Sequence, residues 1–436
     1  MPAPGGSAQV LITSDSAKGQ RLGWPQKIPG SEWVIFSSRP MDKSWRETKI
    51  LAQSLKTNER KTLVEGGLQP LYLATGHLVY CQEQHLMAVP IDPVRARIKG
   101  EPVMVVDGIA QSGQNGVAQV TIADNGTLAY LPSSTEVALP RLVWVTQKGE
   151  VTEAIKDRQN FGYLNLSRDG RKVVLNIPSS QGDMEVWVYD LSGGSAPLRL
   201  TRSGCSWDPI WTPDGKRIVF DYAPTCGGDG DMYWLAAEGG TPELLLARPG
   251  PQYPVAFGPR GELLFVETQP SKGWDVTVLE MKAKAEPRPL LDTEFNEMIP
   301  AISPDGRWIA YQSSESGSGE VYVASYPDLH GKKRVSSGGG DEPKWSPDGR
   351  RLFFKHEREV MSSELEPGPD FSFSEPKALF SSNFWGFLQQ AWPSYCVAPD
   401  GRFLMIEERA AGSGLQINVV LNWFEELKRL APPGKK

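Results

Sequence analysis

The chain has 436 residues, of which 22% are charged and 39% apolar, with a net charge of -6. That balance argues for a globular chain and against a general polyanion binder, so nucleic acid is not an expected partner. No apolar run reaches the length of a membrane-spanning helix, and the opening MPAPGGSAQV lacks the basic-then-apolar order of a secretory signal. Membrane insertion is therefore not expected of this chain.

In chain order, the first recurring feature is a glycine followed by an apolar run. Gly30, Gly76 and Gly126 introduce weak copies, as in Asn125-Gly126-Thr127-Leu128-Ala129-Tyr130. Ser167-Arg168-Asp169-Gly170 and Gly258-Pro259-Arg260-Gly261 are decayed copies of a sharper form. The sharp form is Thr212-Pro213-Asp214-Gly215, Ser303-Pro304-Asp305-Gly306, Ser346-Pro347-Asp348-Gly349 and Ala398-Pro399-Asp400-Gly401. Pro pre-sets φ for the turn, Asp tolerates the bridge region, and Gly takes a positive φ cheaply. Each copy is thus a hairpin corner, and Asp305 is a turn former rather than a catalyst.

The corners recur about every forty-five residues, the period of propeller blades. In one unit, Glu297–Ser303 leads into the turn and Trp308–Ser313 returns. Glu320–Ser325 forms a third strand and Lys333–Ser336 a short edge. Glu185–Tyr189 and Asp231–Leu235 read as third strands elsewhere, rich in β-branched and aromatic residues. The fold class is all-β: a β-propeller of four-stranded antiparallel blades. The expected division is 1–140 with three weaker blades and 141–436 as a six-bladed ring ending in a short helix over Glu425–Leu430. The last blade, ending at Asn418–Leu421, lacks an outer strand, which Arg141–Val145 or Val151–Ile155 would supply. The alternative is a single nine-bladed ring closed by Ala8–Ile12.

Cys205 and Cys226 flank the Pro213–Lys216 turn at nearly equal distances and would lie close together at the open end of that hairpin. They are a candidate disulfide in an oxidising compartment, or otherwise two ordinary small apolar residues. Cys81 and Cys396 read as buried thiols. No CxxC or HExxH occurs, so no zinc site, metal or other cofactor is expected. Asp229-Gly230-Asp231 reads as a polar hairpin tip, because calcium-loop spacing is not met. Glu315–Gly319 and Ala411–Gly414 are Gly/Ser loops between strands rather than nucleophile elbows. His77, His85, His330 and His356 read as surface or satisfied histidines.

The best site candidate is one mouth of the channel, where inner strands begin with a bulky or acidic residue beside a Pro. The candidate ligand-binding residues are Tyr163, Trp207, Asp208, Tyr253, Glu297, Met298, Glu342 and Trp392. A ring of aromatic and carboxylate groups suits a protein or peptide anchor. The competing account is that the prolines stiffen strand entry and the aromatics pack between blades.

The Ser-Pro-Asp-Gly-Arg/Lys units resemble the propeller repeats of the TolB type. More narrowly, SPDGRWIAYQSSESGSGEVYVASYP, the Gly338–Trp345 stretch and the closing Asn422–Leu427 resemble one group. These are the C-terminal propeller regions of bacterial serine/threonine kinases of the eukaryotic-like type. The resemblance implies a sensing or binding propeller outside the cytoplasm, joined in that group to a kinase domain and a membrane helix. No Gly-rich phosphate loop, HRD-type loop or DFG-type site occurs here, so kinase activity is not implied. A separate kinase or membrane subunit is then a candidate partner. The leading expectation is a non-catalytic binding or sensor propeller for a protein, peptide or small ligand. The alternatives are a hydrolase or lyase using the channel, and a structural fragment completed by another chain. The discriminating observation is whether Asp208, Glu297 and Glu342 meet with a histidine or an ion.

Overall fold

The computed structural model describes residues 10–14, 20–40, 45–111, 117–133, 139–179, 183–226, 228–269, 273–282, 285–366, 371–381, 394–407 and 416–432. The described strands pair antiparallel throughout, and the one α-helix among these residues is Trp423–Leu430. The chain divides into two compact units. One comprises 1–137, 225–227 and 411–436; the other comprises 138–224 and 228–410.

The larger unit has six sheets among its described residues. Five follow chain order, starting at Leu164–Leu166, Cys205–Trp211, Gln252–Phe257, Glu297–Ile302 and Asp341–Trp345. The sixth joins both ends of the unit in the order Val151–Arg158, Arg141–Val145, Phe403–Glu407, Tyr395–Val397. Both strands considered for closure take part, Arg141–Val145 lying between Phe403–Glu407 and Val151–Arg158. The six inner strands touch in sequence, and Tyr395–Val397 touches Leu164–Leu166, so the unit is a closed ring of blades. Closure removes the unpaired edge that a row of sheets would leave.

The corner motif explains why these strands turn where they do. Gly306 has φ 73° and its N–H donates to Ser303 O at 2.8 Å. Ser303 Oγ donates to Asp305 Oδ1 at 2.6 Å, which also accepts from Arg307 N at 3.1 Å. A Cβ at Gly306 would meet Pro259 Cγ at 2.7 Å, and one at Gly170 would meet Pro399 Cδ at 2.9 Å. Each such corner therefore nests against the preceding blade, and the last nests against the first. Trp345 Nε1 donates to Ala301 O at 3.0 Å and Trp211 Nε1 to Asn165 O at 3.1 Å, tying inner strands across blades.

The smaller unit has three sheets among its described residues. The first is Gln20–Lys27, Trp33–Pro40, Lys49–Ser54, Arg60–Glu65. The second is Leu68–Leu73, His77–Gln82, His85–Asp92, Arg97–Ile98, with Val103–Val106 also paired to His85–Asp92. The third is Val120–Ile122, Leu128–Tyr130, Asn418–Val420. Here the structure departs from the 141–436 division. Asn418–Val420 does not end the sixth large-unit sheet but pairs with Leu128–Tyr130, and the helix packs Trp423 and Leu427 against Leu68, Leu73 and Leu128. The helix starts where Trp423 N donates to Gly126 O at 2.9 Å. The apolar sides of Trp423 and Leu427 found a matching core in the early sheets, which periodicity alone does not reveal. Of the proposed closing segment Ala8–Ile12, residues 8 and 9 lie outside the described residues; residues 10–12 form no strand. Ile12 packs against Val34, Phe36 and Leu51 instead.

Candidate functional site

The inner strands carry a device repeated in both units. Trp24-Pro25, Gln69-Pro70, Asp208-Pro209, Ile299-Pro300 and Glu342-Pro343 each sit at a β-bulge. The residue before each Pro has φ between 49° and 53°. Pro donates no N–H and pushes its predecessor away from the right-handed helical region, so the ladder breaks there and the strand bends. The Pro residues thus have a structural cause, and they bend the inner strands at matching places.

Counted back from the corner Pro, the position five residues earlier is Asp208, Pro254, Ile299, Glu342 and Ser394, and Tyr163 stands at the same place before Arg168. All six are buried. One residue earlier stand Trp207, Tyr253, Met298 and Asp341, from four consecutive blades, and all are half-buried. One earlier again, Ser206, Gln252 and Glu297 are buried. The eight sequence candidates therefore fall into different layers. Trp207, Tyr253 and Met298 belong to the accessible layer, while Tyr163, Asp208, Glu297 and Glu342 are buried beside it. Trp392 lies outside the described residues.

The aromatic members pack as one group. Tyr163 and Trp207 meet edge-on at 6.3 Å between ring centroids, and Tyr253 and Trp274 lie at 5.5 Å. Trp207, Tyr253 and Trp274 all pack on the cluster that contains Tyr163. Burial pushes the Tyr163 and Tyr253 hydroxyls above their usual range, and Asp208 and Asp221 add to it.

Asp208 hydrogen-bonds to Asp221, which stands opposite Trp207 in the same hairpin. Burial, followed by the Asp221 charge, holds Asp208 well above the ordinary carboxylate range. Burial pushes Asp221 up to about 7. Asp208 Oδ1 and Asp221 Oδ1 are buried with no hydrogen-bond partner, as are Ser206 Oγ, Gln252 Oε1 and Glu297 Oε2. No lysine or arginine is among the causes of either aspartate's shift. A Cβ at Gly230 would stand 2.8 Å from Asp221 Oδ2, so only glycine leaves room for that carboxyl.

The other acids have their own partners. Glu297 Oε1 accepts from Thr293 Oγ1 at 2.6 Å and from Ser313 Oγ at 3.4 Å, and burial raises its pKa. Glu342 accepts from Ser394 N at 2.6 Å and from Lys355 Nζ at 3.4 Å. Burial, then Glu342, pushes Asp341 up to about 7, while burial lowers Lys344. Asp208, Glu297 and Glu342 share no partner among the described residues and gather no histidine. His77 is buried between Thr75 Oγ1 at 3.0 Å and Ala431 O at 2.6 Å.

The one metal-compatible grouping found among the described residues is Asp183, Cys205 and Cys226. Cys205 and Cys226 are disulfide-bonded, so neither offers a thiolate to an ion. Cys205 is in register with Ala223, so the bond reaches past the end of the paired strand. Cys81 and Cys396 are free and buried.

Asp221 escaped sequence reading. The signal for Asp221 was present: it and Trp207 stand seven residues either side of Asp214. Pairing across the corner places the two opposite each other.

No family model matches the chain, and no curated protein matches it. Among solved structures, a TolB described as putative, from Agrobacterium tumefaciens, is similar at 22% identity over 62% of this chain and 98% of that one, with a TM-score of 0.49. TolB from Acinetobacter baumannii is similar at 17% identity over 68% and 78%, with a TM-score of 0.38. An oligogalacturonate lyase in complex with manganese is similar at 14% identity over 74% and 82%, with a TM-score of 0.36. Both TolB structures and the lyase fall below one quarter identity, and the propeller assignment rests on this chain's own sheet order.

Proposed function

We propose that the protein is a non-catalytic binding propeller whose mouth recognises a protein or peptide. The observation that carries this reading is the half-buried layer Trp207, Tyr253, Met298 and Asp341, contributed by four consecutive inner strands. Large, rigid side chains on a closed ring lose little entropy on binding, which favours them as anchors. Glu297 and Glu342 act as support rather than as a reaction centre, since each is held by local donors. On this reading the partner belongs to a signalling system outside the cytoplasm, as the resemblance of the repeat and closing sequences implies, and the Cys205–Cys226 disulfide supports an oxidising compartment.

The test is affinity capture of partners from a periplasmic extract, followed by calorimetry with the purified partner. The reading expects Trp207→Ala and Tyr253→Ala each to weaken binding at least tenfold while leaving far-ultraviolet circular dichroism unchanged. Undiminished affinity in both variants would remove the mouth as the binding site.

A further inference from the structure

We propose that the group this mouth takes from its partner is cationic: a lysine or arginine side chain, seated against Trp207 and Tyr253 with its charge directed at Asp208 and Asp221. The inference rests on the mouth-binding reading above and adds the chemistry of the ligand.

Three observations converge. First, Trp207, Tyr253 and Trp274 pack on the cluster that contains Tyr163, with Trp207 edge-on to Tyr163 and Tyr253 against Trp274, and Trp207 and Tyr253 remain half-exposed. The face of an aromatic ring attracts an ammonium or guanidinium group. Second, Asp208 and Asp221 lie beneath that layer at 5% and 4% exposure, each with Oδ1 unpartnered. Two carboxyls hydrogen-bonded to each other satisfy only part of their acceptor capacity. Third, the described groups that act on the pair bring no positive charge, whereas Glu342 has Lys355 within 3.4 Å. Asp229, on the exposed loop after Cys226, adds a further negative charge close enough to act on Tyr253. Negative groups therefore face the aromatic arc from its own hairpin and from that loop. Lys344 and Lys355 stand on Asp341–Trp345 and Arg351–His356, strands of another blade.

The charge balance is explicit. Without ligand, Asp208 holds a proton and donates it to Asp221, and because Asp221 is pushed up to about 7 the pair carries less than one negative charge at neutral pH. A bound cation stabilises the doubly ionised pair, and the proton from Asp208 passes to solvent. Binding should then release protons, and affinity should rise with pH.

The experiment uses the full chain and two pools of random hexapeptides, acetylated and amidated at their ends. One pool contains lysine and arginine; the other replaces them with acetyl-lysine and citrulline. The expected result is retention of the cationic pool and at least tenfold weaker binding of the neutral pool. Calorimetry of a retained cationic peptide in buffers of different ionisation enthalpy should show proton release. The double variant Asp208→Asn with Asp221→Asn should lose the preference for charge yet keep weak binding to both pools. Equal retention of both pools by the native protein, or an unchanged preference in the double variant, overturns the inference while leaving the mouth-binding reading intact. If the native protein and Trp207→Ala are alike in retaining neither pool, the mouth-binding reading fails and this inference with it. Should the double variant not fold, the single Asp221→Asn variant provides the same comparison.

Discussion

The two units use one repeat and finish it differently. In the larger, Arg141–Val145 enters between strands from opposite ends of the unit, and the last inner strand reaches the first. In the smaller, Asn418–Val420 adds to a sheet of three strands among the described residues, and Ile417, Val419 and Leu421 are 63%, 56% and 69% exposed. The helix Trp423–Leu430 fills the other face of that sheet. The same corners therefore specify blades, while the pairing of Arg141–Val145 with strands from both ends of the larger unit closes that set. Ring closure is a property of a few pairing residues rather than of the repeat.

The largest expected effect tests the seal. Val143 is fully buried and paired on both sides. Val143→Asp places an unpaired charge there and should cost on the order of 4 kcal/mol or more. Limited proteolysis should then cut within 141–407; native resistance would show that this strand does not seal the ring. The matching change in the smaller unit is Trp423→Ala, at about 3–5 kcal/mol. Amide exchange over Leu68–Asp92 should accelerate while exchange over 164–356 stays unchanged. Acceleration in both regions would mean that the two sets of blades do not stabilise themselves separately.

The corners were legible because each residue in them has one local job: Pro213, Asp214 and Gly215 specify a turn without help from distant contacts. The blade class followed from their spacing. The destination of Asn418–Val420 was not legible, since Val419 and Val420 pair with residues nearly 300 positions away and nothing local selects that edge. The layering of the inner-strand residues was legible only in part. Strand alternation predicts which side chains share a face, but the bulge at Asp208-Pro209 inserts an extra residue and reverses the alternation there. Trp207 and Asp208 consequently looked equivalent in the sequence, whereas one is half-exposed and the other buried.

A smaller effect separates the buried Asp208–Asp221 pair from the corners. Asp221 titrates near 7 when folded, against an ordinary value near 4 when unfolded. Between those values the folded chain binds more protons, so stability falls as pH rises through that window. Asp221→Asn removes this loss. It should be nearly neutral at pH 4 and stabilising at pH 8, on the order of 2 kcal/mol. Urea midpoints at both values check the sign, and equal midpoint changes at the two pH values would mean that Asp221 is not forced to ionise in a buried site.

The corner carboxylates should show the opposite slope and the smallest effect. Asp348 Oδ1 accepts from Ser346 Oγ at 2.5 Å and from Arg350 N at 3.1 Å, and the Ser346 hydrogen bond holds its carboxyl below the usual range. A depressed folded value means stability present above the unfolded value and lost as pH falls through the folded one. In the smaller unit the same place is held by Asn125, whose Oδ1 accepts from Thr127 N at 3.0 Å and carries no charge. Asp348→Ala should therefore cost about 1 kcal/mol at pH 7 and less near pH 3, reduced further by solvent screening, because the corner is exposed. Asn125→Ala should cost a similar or smaller amount with no pH dependence. If both changes follow the same pH curve, the corner aspartate acts through its shape alone, and the two units differ only in how their ends are joined.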